Sequence, residues 1–265
     1  MTVHEIRSIT QVGTSEPFEL QISRGQIPGH YRVHKFGFNP LINETEETVW
    51  SEGGIYYHPS GATQLQVAST SDDDTGNEGD GARSIELQGL DENYNEITET
   101  VLLDGTTPVS TTKSFLRINR GFVKTAGDNE VATGIIRAGT GTVTNGVPAS
   151  VYLRIDPADG QTLMCVWTVP AGYTGYVLQK DVTCLTEANN KFGTIRLITR
   201  QPGGVFRTHD KFSVQNDHVG LTYSTPLPLP EKTDIEVRAV GSSSNSALHV
   251  SATLEIVYIK NDSRL

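Results

Sequence analysis

The chain has 265 residues, with 21 Lys plus Arg against 31 Asp plus Glu for a formal net charge of −10, and only 36% of its residues are hydrophobic and 7% aromatic. That balance excludes a general attraction to nucleic acid or to an anionic membrane, since both draw on an excess of basic groups. Two cysteines are too few for a disulfide framework or a four-ligand zinc site, and no run approaches the roughly 20 apolar residues of a transmembrane helix.

From Met1 to Pro17 no period is visible, so residues 1–17 read as a short N-terminal arm. Met1-Thr2-Val3-His4-Glu5 lacks the basic and apolar parts of a signal peptide, which predicts a soluble chain made in a cytoplasm. Beyond the arm, apolar residues alternate with polar ones in Gln64-Leu65-Gln66-Val67, Ser84-Ile85-Glu86-Leu87-Gln88, Phe115-Leu116-Arg117-Ile118-Asn119 and Asp234-Ile235-Glu236-Val237-Arg238. Period 2 is the mark of a strand with one face on a core and one in water. No window carries an apolar i, i+3, i+4, i+7 stripe. Turn chemistry separates the strands at Pro28-Gly29, Gly53-Gly54, Asp104-Gly105, Gly127-Asp128-Asn129, Asn145-Gly146 and Pro202-Gly203-Gly204. At Asp156-Pro157-Ala158-Asp159-Gly160, acidic residues, a proline and a glycine interrupt two apolar runs. The predicted fold is therefore all-β, with two β-sandwich or jelly-roll-like domains at 18–156 and 157–265.

Candidate chemistry is sparse. The acidic loop Asp72-Asp73-Asp74-Thr75-Gly76-Asn77-Glu78-Gly79-Asp80-Gly81 offers oxygens to calcium, but Asn77 stands where an EF-hand needs its turn glycine, which favours a solvated loop tip. Each of the seven histidines reads as a surface or internally satisfied residue; His30 and His34, in extended chain, lie roughly 13 Å apart and cannot share an ion. No nucleophile elbow, phosphate loop or dinucleotide fingerprint occurs, so neither an enzyme nor a cofactor is predicted. Lys113, Arg117, Arg120 and Lys124 form the most basic window of the acidic chain, either a solvated strand face or a contact for an acidic partner. Trp50, Tyr56, Tyr57 and Tyr94 are either core aromatics or, if exposed together, a stacking platform for sugar rings. Cys165 and Cys184 lie symmetrically about Thr174 and Gly175. A hairpin in simple register there would make a cross-strand disulfide geometrically thinkable, against two buried free thiols.

Several runs carry a resemblance as a set: Phe18-Glu19-Leu20-Gln21-Ile22-Ser23-Arg24-Gly25-Gln26-Ile27-Pro28-Gly29-His30, Glu46-Glu47-Thr48-Val49-Trp50, Gly89-Leu90-Asp91-Glu92-Asn93-Tyr94-Asn95-Glu96-Ile97-Thr98-Glu99-Thr100-Val101 and Gly105-Thr106-Thr107-Pro108-Val109. The set continues with Ser114-Phe115-Leu116-Arg117-Ile118-Asn119, Val169-Pro170-Ala171-Gly172-Tyr173-Thr174 and Leu229-Pro230-Glu231-Lys232-Thr233-Asp234-Ile235. Together they resemble virion structural proteins of tailed bacteriophages of aquatic bacteria, cyanobacteria among the hosts. These runs are turns and strand cores, none catalytic. The resemblance implies a capsid decoration, or cement, protein that assembles in the host bacterial cytoplasm, binds the major capsid protein on the head exterior and forms a homo-oligomer, a trimer by analogy. The competing expectation is a tail fibre or spike component that binds a host surface glycan.

Overall fold

The computed structural model describes residues 16–76, 78–186, 190–243 and 248–262. A short helix α1 (Phe18–Ser23) precedes the strands β1 (His30–Ile42), β2 (Glu47–Thr48), β3 (Gln66–Ser69), β4 (Ala82–Leu90), β5 (Glu96–Leu102), β6 (Val109–Ser110), β7 (Arg117–Ala126), β8 (Ile136–Thr144) and β9 (Val147–Ile155). The chain continues through β10 (Val166–Thr168), β11 (Tyr173–Leu185), β12 (Gly193–Arg200), β13 (Arg207–Val214), β14 (Asp217–Leu229), β15 (Asp234–Gly241) and β16 (Leu248–Lys260). The molecule is nearly all β, as its alternation predicts. No helix among the described residues is long and apolar enough to cross a membrane.

Among the described residues four antiparallel sheets make two packed pairs. In the first pair a sheet of order β1-β16-β11-β14 faces one of order β10-β15-β12-β13, with β2 also on β15. Their inward side chains, among them Val250, Leu254 and Ile256 from β16 and Ile235, Val237 and Ala239 from β15, form one core. In the second pair, β6-β3-β8-β9 faces β5-β4-β7 around Leu65, Ile85, Leu87, Phe115, Ile136 and Leu153. The alternation fixes register, because slipping any strand by one residue would turn its apolar set to water. Asn145 (φ 50°) and Gly146 (φ 77°) close the β8–β9 hairpin with both central residues left-handed, the geometry that matches the twist of the strands it joins.

The structure corrects the predicted division at residue 156. β1 pairs with β16 from His30↔Ile259 to Ile42↔Leu248, and β2 pairs with β15. The segment before Trp50 therefore belongs to the same sandwich as 164–262, and the second sandwich is an insertion that carries β3 to β9. Trp50 and Met164 form an antiparallel bridge where the chain leaves and returns. β1 lies so close to this crossing that a Cβ on Gly37 would stand 2.2 Å from the Val49 carbonyl oxygen and 2.4 Å from the Cys165 amide nitrogen.

Three local expectations also change. Phe18–Ser23 is a short helix inside the otherwise β-rich chain, and its six residues are too few to display a helical period in the sequence. Residues 1–15 of the predicted arm lie outside the described residues. The chain does not fold back as a hairpin after Pro170. It turns at Gly172 (φ 78°) and crosses to the opposite sheet, so β10 and β11 are not neighbours. Cys165 and Cys184 are consequently two buried free thiols in one core. The acidic loop is tied inward by Asp74, which is fully buried. Its carboxylate accepts hydrogen bonds from the backbone amides of Ala82 (2.8 Å), Thr133 (2.9 Å) and Gly134 (2.9 Å), so backbone donors occupy both oxygens of this carboxylate. Asn77 of that loop lies outside the described residues.

Candidate functional site

A cluster of buried charges lies in the seam between the two sandwiches. β15 alternates Asp234, Glu236 and Arg238 on the face away from its own core, positions that sequence assigns to water. That face is covered by the 48–58 segment and by Arg117 at the start of β7. The Asp234 carboxylate accepts Nε (2.8 Å) and Nη2 (3.2 Å) of Arg117, Nε (3.1 Å) and Nη2 (2.7 Å) of Arg200, and the Thr168 hydroxyl (2.7 Å). Paired guanidinium donors are the strongest partners a carboxylate finds in a protein. Burial opposes ionisation at Asp234, but His58, Arg117 and Arg200 outweigh it and hold the carboxyl at about 2.

Glu236 is less well provided for. Its Oε2 accepts Arg238 Nε (2.9 Å) and the Thr48 hydroxyl (3.3 Å), while Oε1 is buried without a hydrogen-bond partner. Burial pushes this carboxyl above the usual carboxylate range, against the pull of Arg238. His58 completes the cluster, edge-on to Tyr56 with 5.0 Å between ring centroids. Its Nε2 stands 3.8 Å from Asp234 and 3.9 Å from Glu236, too far for a hydrogen bond, and neither ring nitrogen finds a partner. Burial lowers its pKa to about 3. His58 thus departs from the expectation of a satisfied histidine.

Above the cluster opens a cleft of about 620 Å³. Phe206 lies against its wall with the Arg200 guanidinium 4.5 Å and the Arg238 guanidinium 4.7 Å from the ring centroid, and this cation–π contact orients both groups. A second, smaller cleft along the seam lies over Lys35. Its buried ammonium donates to the Asn119 carbonyl of β7, and burial draws its pKa down to about 7. Arg137 Nε of β8 donates to Glu52 (2.8 Å), which fixes the chain where it leaves the first sandwich.

Of the predicted basic window, Arg117 leaves the surface. It is buried in the seam, Arg120 is bound to the Gln161 side chain, Lys124 Nζ donates to Glu86 and Thr100 (2.8 Å each), and Lys113 Nζ donates to the Thr98 carbonyl (2.6 Å). Arg117 and Lys124 are paired with carboxylates, while Lys113 and Arg120 bond neutral oxygens. The predicted sugar platform also comes apart. Trp50 is 4% and Tyr56 2% exposed, both in a small core with Met164 and Val166, whereas Tyr57 is 73% exposed beside the cleft. Tyr94 lies against the Arg117 guanidinium at 5.3 Å. Asp234, Glu236, Arg200, Arg238, Phe206 and His58 were missed; the signal lay in β15, whose polar positions carry charges of both signs. No group of three or more His, Cys, Asp or Glu suited to a metal occurs among the described residues.

No family model matches the chain, and no curated protein does. Among solved structures it is similar to the infectious bursal disease virus Gt strain structure, at 12% identity, 94% of this chain, 79% of that chain and a TM-score of 0.20. It is also similar to the VP2 subviral particle of the same virus, at 12% identity, the same coverages and a TM-score of 0.23. Likeness at this level carries no argument about fold or role.

Proposed function

We propose that this chain is a non-enzymatic structural protein of a tailed-bacteriophage virion, a decoration protein that binds the major capsid protein on the head exterior and bridges neighbouring subunits as a homotrimer. The observation that carries the reading is an apolar patch at the root of the N-terminal arm. Phe18 (54%) and Leu20 (46%) stand exposed there on α1, which directly follows the arm in sequence. An arm that runs in sequence directly into an apolar patch would make a two-part contact, and contacts linked in one molecule strengthen each other through effective concentration. The framework resemblance supports the same reading. So does the strand order β1-β16-β11-β14 over β10-β15-β12-β13, which we read as a jelly roll, an architecture used by viral capsid and lectin domains.

Abundance and binding test it. A stained gel of purified virions should show this protein at a copy number rivalling the major capsid protein, and a chain lacking Met1–Pro17, or carrying Phe18→Ser with Leu20→Ser, should fold but fail to bind undecorated heads. Scarcity by an order of magnitude, with density on the tail, would replace the reading by a fibre or spike component.

A further inference from the structure

The cleft at the mouth of the seam has the composition of a ligand site. In a chain with a net charge of −10, the guanidiniums of Arg117, Arg200 and Arg238 face two carboxylates, Asp234 and Glu236, while Glu46 is matched by Arg196. The local excess is one positive charge. Arg238 Nη1 approaches Glu46 no closer than 3.7 Å, so the outward edge of this guanidinium makes no hydrogen bond. β15 is paired on one edge to β12 and on the other to β10 and β2; it offers an extended peptide no backbone to pair with, and side chains alone read whatever enters. Those side chains are a planar exposed ring, Tyr57, the guanidiniums of Arg200 and Arg238, the Glu46 carboxylate held by Arg196, and the hydroxyls of Thr45 and Ser60 at the rim.

We propose that this cleft binds an acidic saccharide, with the carboxylate of a uronic acid unit on Arg238 and Arg200 and the apolar face of its pyranose ring on Tyr57. A planar carboxylate matches the guanidinium fork, and an amphipathic aromatic stacks on the C–H face of a sugar while its hydroxyl stays wet. The unsatisfied imidazole then acquires a use. When Arg200 turns toward the ligand, Asp234 loses one of its two guanidinium partners, and His58 Nε2, at 3.8 Å, is near enough to close on it as a hydrogen-bond donor. The site belongs to the chain wherever the protein sits in a particle, so its failure would leave the decoration reading intact, and absence from the head would leave the site intact.

Titration calorimetry of the full chain with a tetrasaccharide of alternating glucuronic acid units, and with the same tetrasaccharide after carboxyl reduction, tests the site. Binding on the order of 1 mM or tighter is expected for the acidic sugar, weakened by about tenfold or more on carboxyl reduction, on Arg200→Gln and on Tyr57→Ala. Tyr57 is exposed, so its variant decides if Arg200→Gln fails to fold. Equal affinity for acidic and reduced sugars, unchanged affinity in Tyr57→Ala, no binding at 10 times that concentration, or tighter binding of an acidic peptide would each overturn the proposal.

Discussion

At the residue scale the seam is an arrangement of buried charges in which the arginines are indispensable to the acids. Truncating one member of a buried, hydrogen-bonded pair leaves the other charge without compensation, at a cost of about 3–5 kcal/mol. Arg117→Ala should fall in that range in urea denaturation; a loss below about 1 kcal/mol would show that Arg200 suffices for Asp234. His58 gives a pH dependence of defined sign. Its ordinary pKa is 6.5 and its folded value about 3, so between these limits the unfolded chain binds a proton that the folded chain refuses. The His58 contribution to stability is therefore fully present above about pH 6.5 and is lost as pH falls toward 3. The slope approaches about 1.4 kcal/mol per pH unit. His58→Phe should remove this component, so the stability difference between variant and parent should shift by about 2 kcal/mol in favour of the variant between pH 6.5 and 4.5.

At the element scale, backbone approach decides where the strands tolerate change. Gly37 on β1 has carbonyl and amide groups of two other segments within 2.4 Å of where a Cβ would stand, and neither is a flexible side-chain end. Gly37→Ala should destabilise by about 1–3 kcal/mol or more. Gly61 has nothing within 4 Å, so Gly61→Ala should be neutral or stabilise by a few tenths of a kcal/mol; thermal melts of the two variants give the comparison. The strands themselves were legible because alternation and turn residues are local signals: Asn145-Gly146 announces its hairpin, and Ser84–Gln88 its strand. Asp234, Glu236 and Arg238 misled because alternation reports which side chains differ, not what covers the polar ones. A polar face against a second domain and a polar face against water read alike. The partners of that face, Arg117 and His58, lie more than a hundred positions away in sequence, and nothing local encodes such a separation.

At the scale of the whole molecule, the insertion sets what can fold alone. Residues 157–265 contain β10 to β16 but lack β1, leaving the edge of β16 unpaired along its length and the core without Ile42 and Val49. Expressed alone, this segment should give poor amide dispersion and no cooperative melt, although sequence reads it as a domain. The complementary chain keeps residues 16–50 and 164–265 and replaces 51–163 with two glycines. Trp50 and Met164 are already bridged, so a tight turn can join them, and β2 and β10 would then continue along one edge of β15. That chain retains both sheets and nearly all of the first core, and it should fold. It also loses Arg117 and His58, leaving Asp234 with Arg200 as its guanidinium partner. It should therefore be less stable than the parent by roughly the cost of a broken buried pair, about 3–5 kcal/mol, and Asp234→Asn should recover part of that loss by removing the charge. Cooperative unfolding of 157–265 alone, or failure of the excised chain even with Asp234→Asn, would mean that the two sandwiches depend on each other through more than the polar seam.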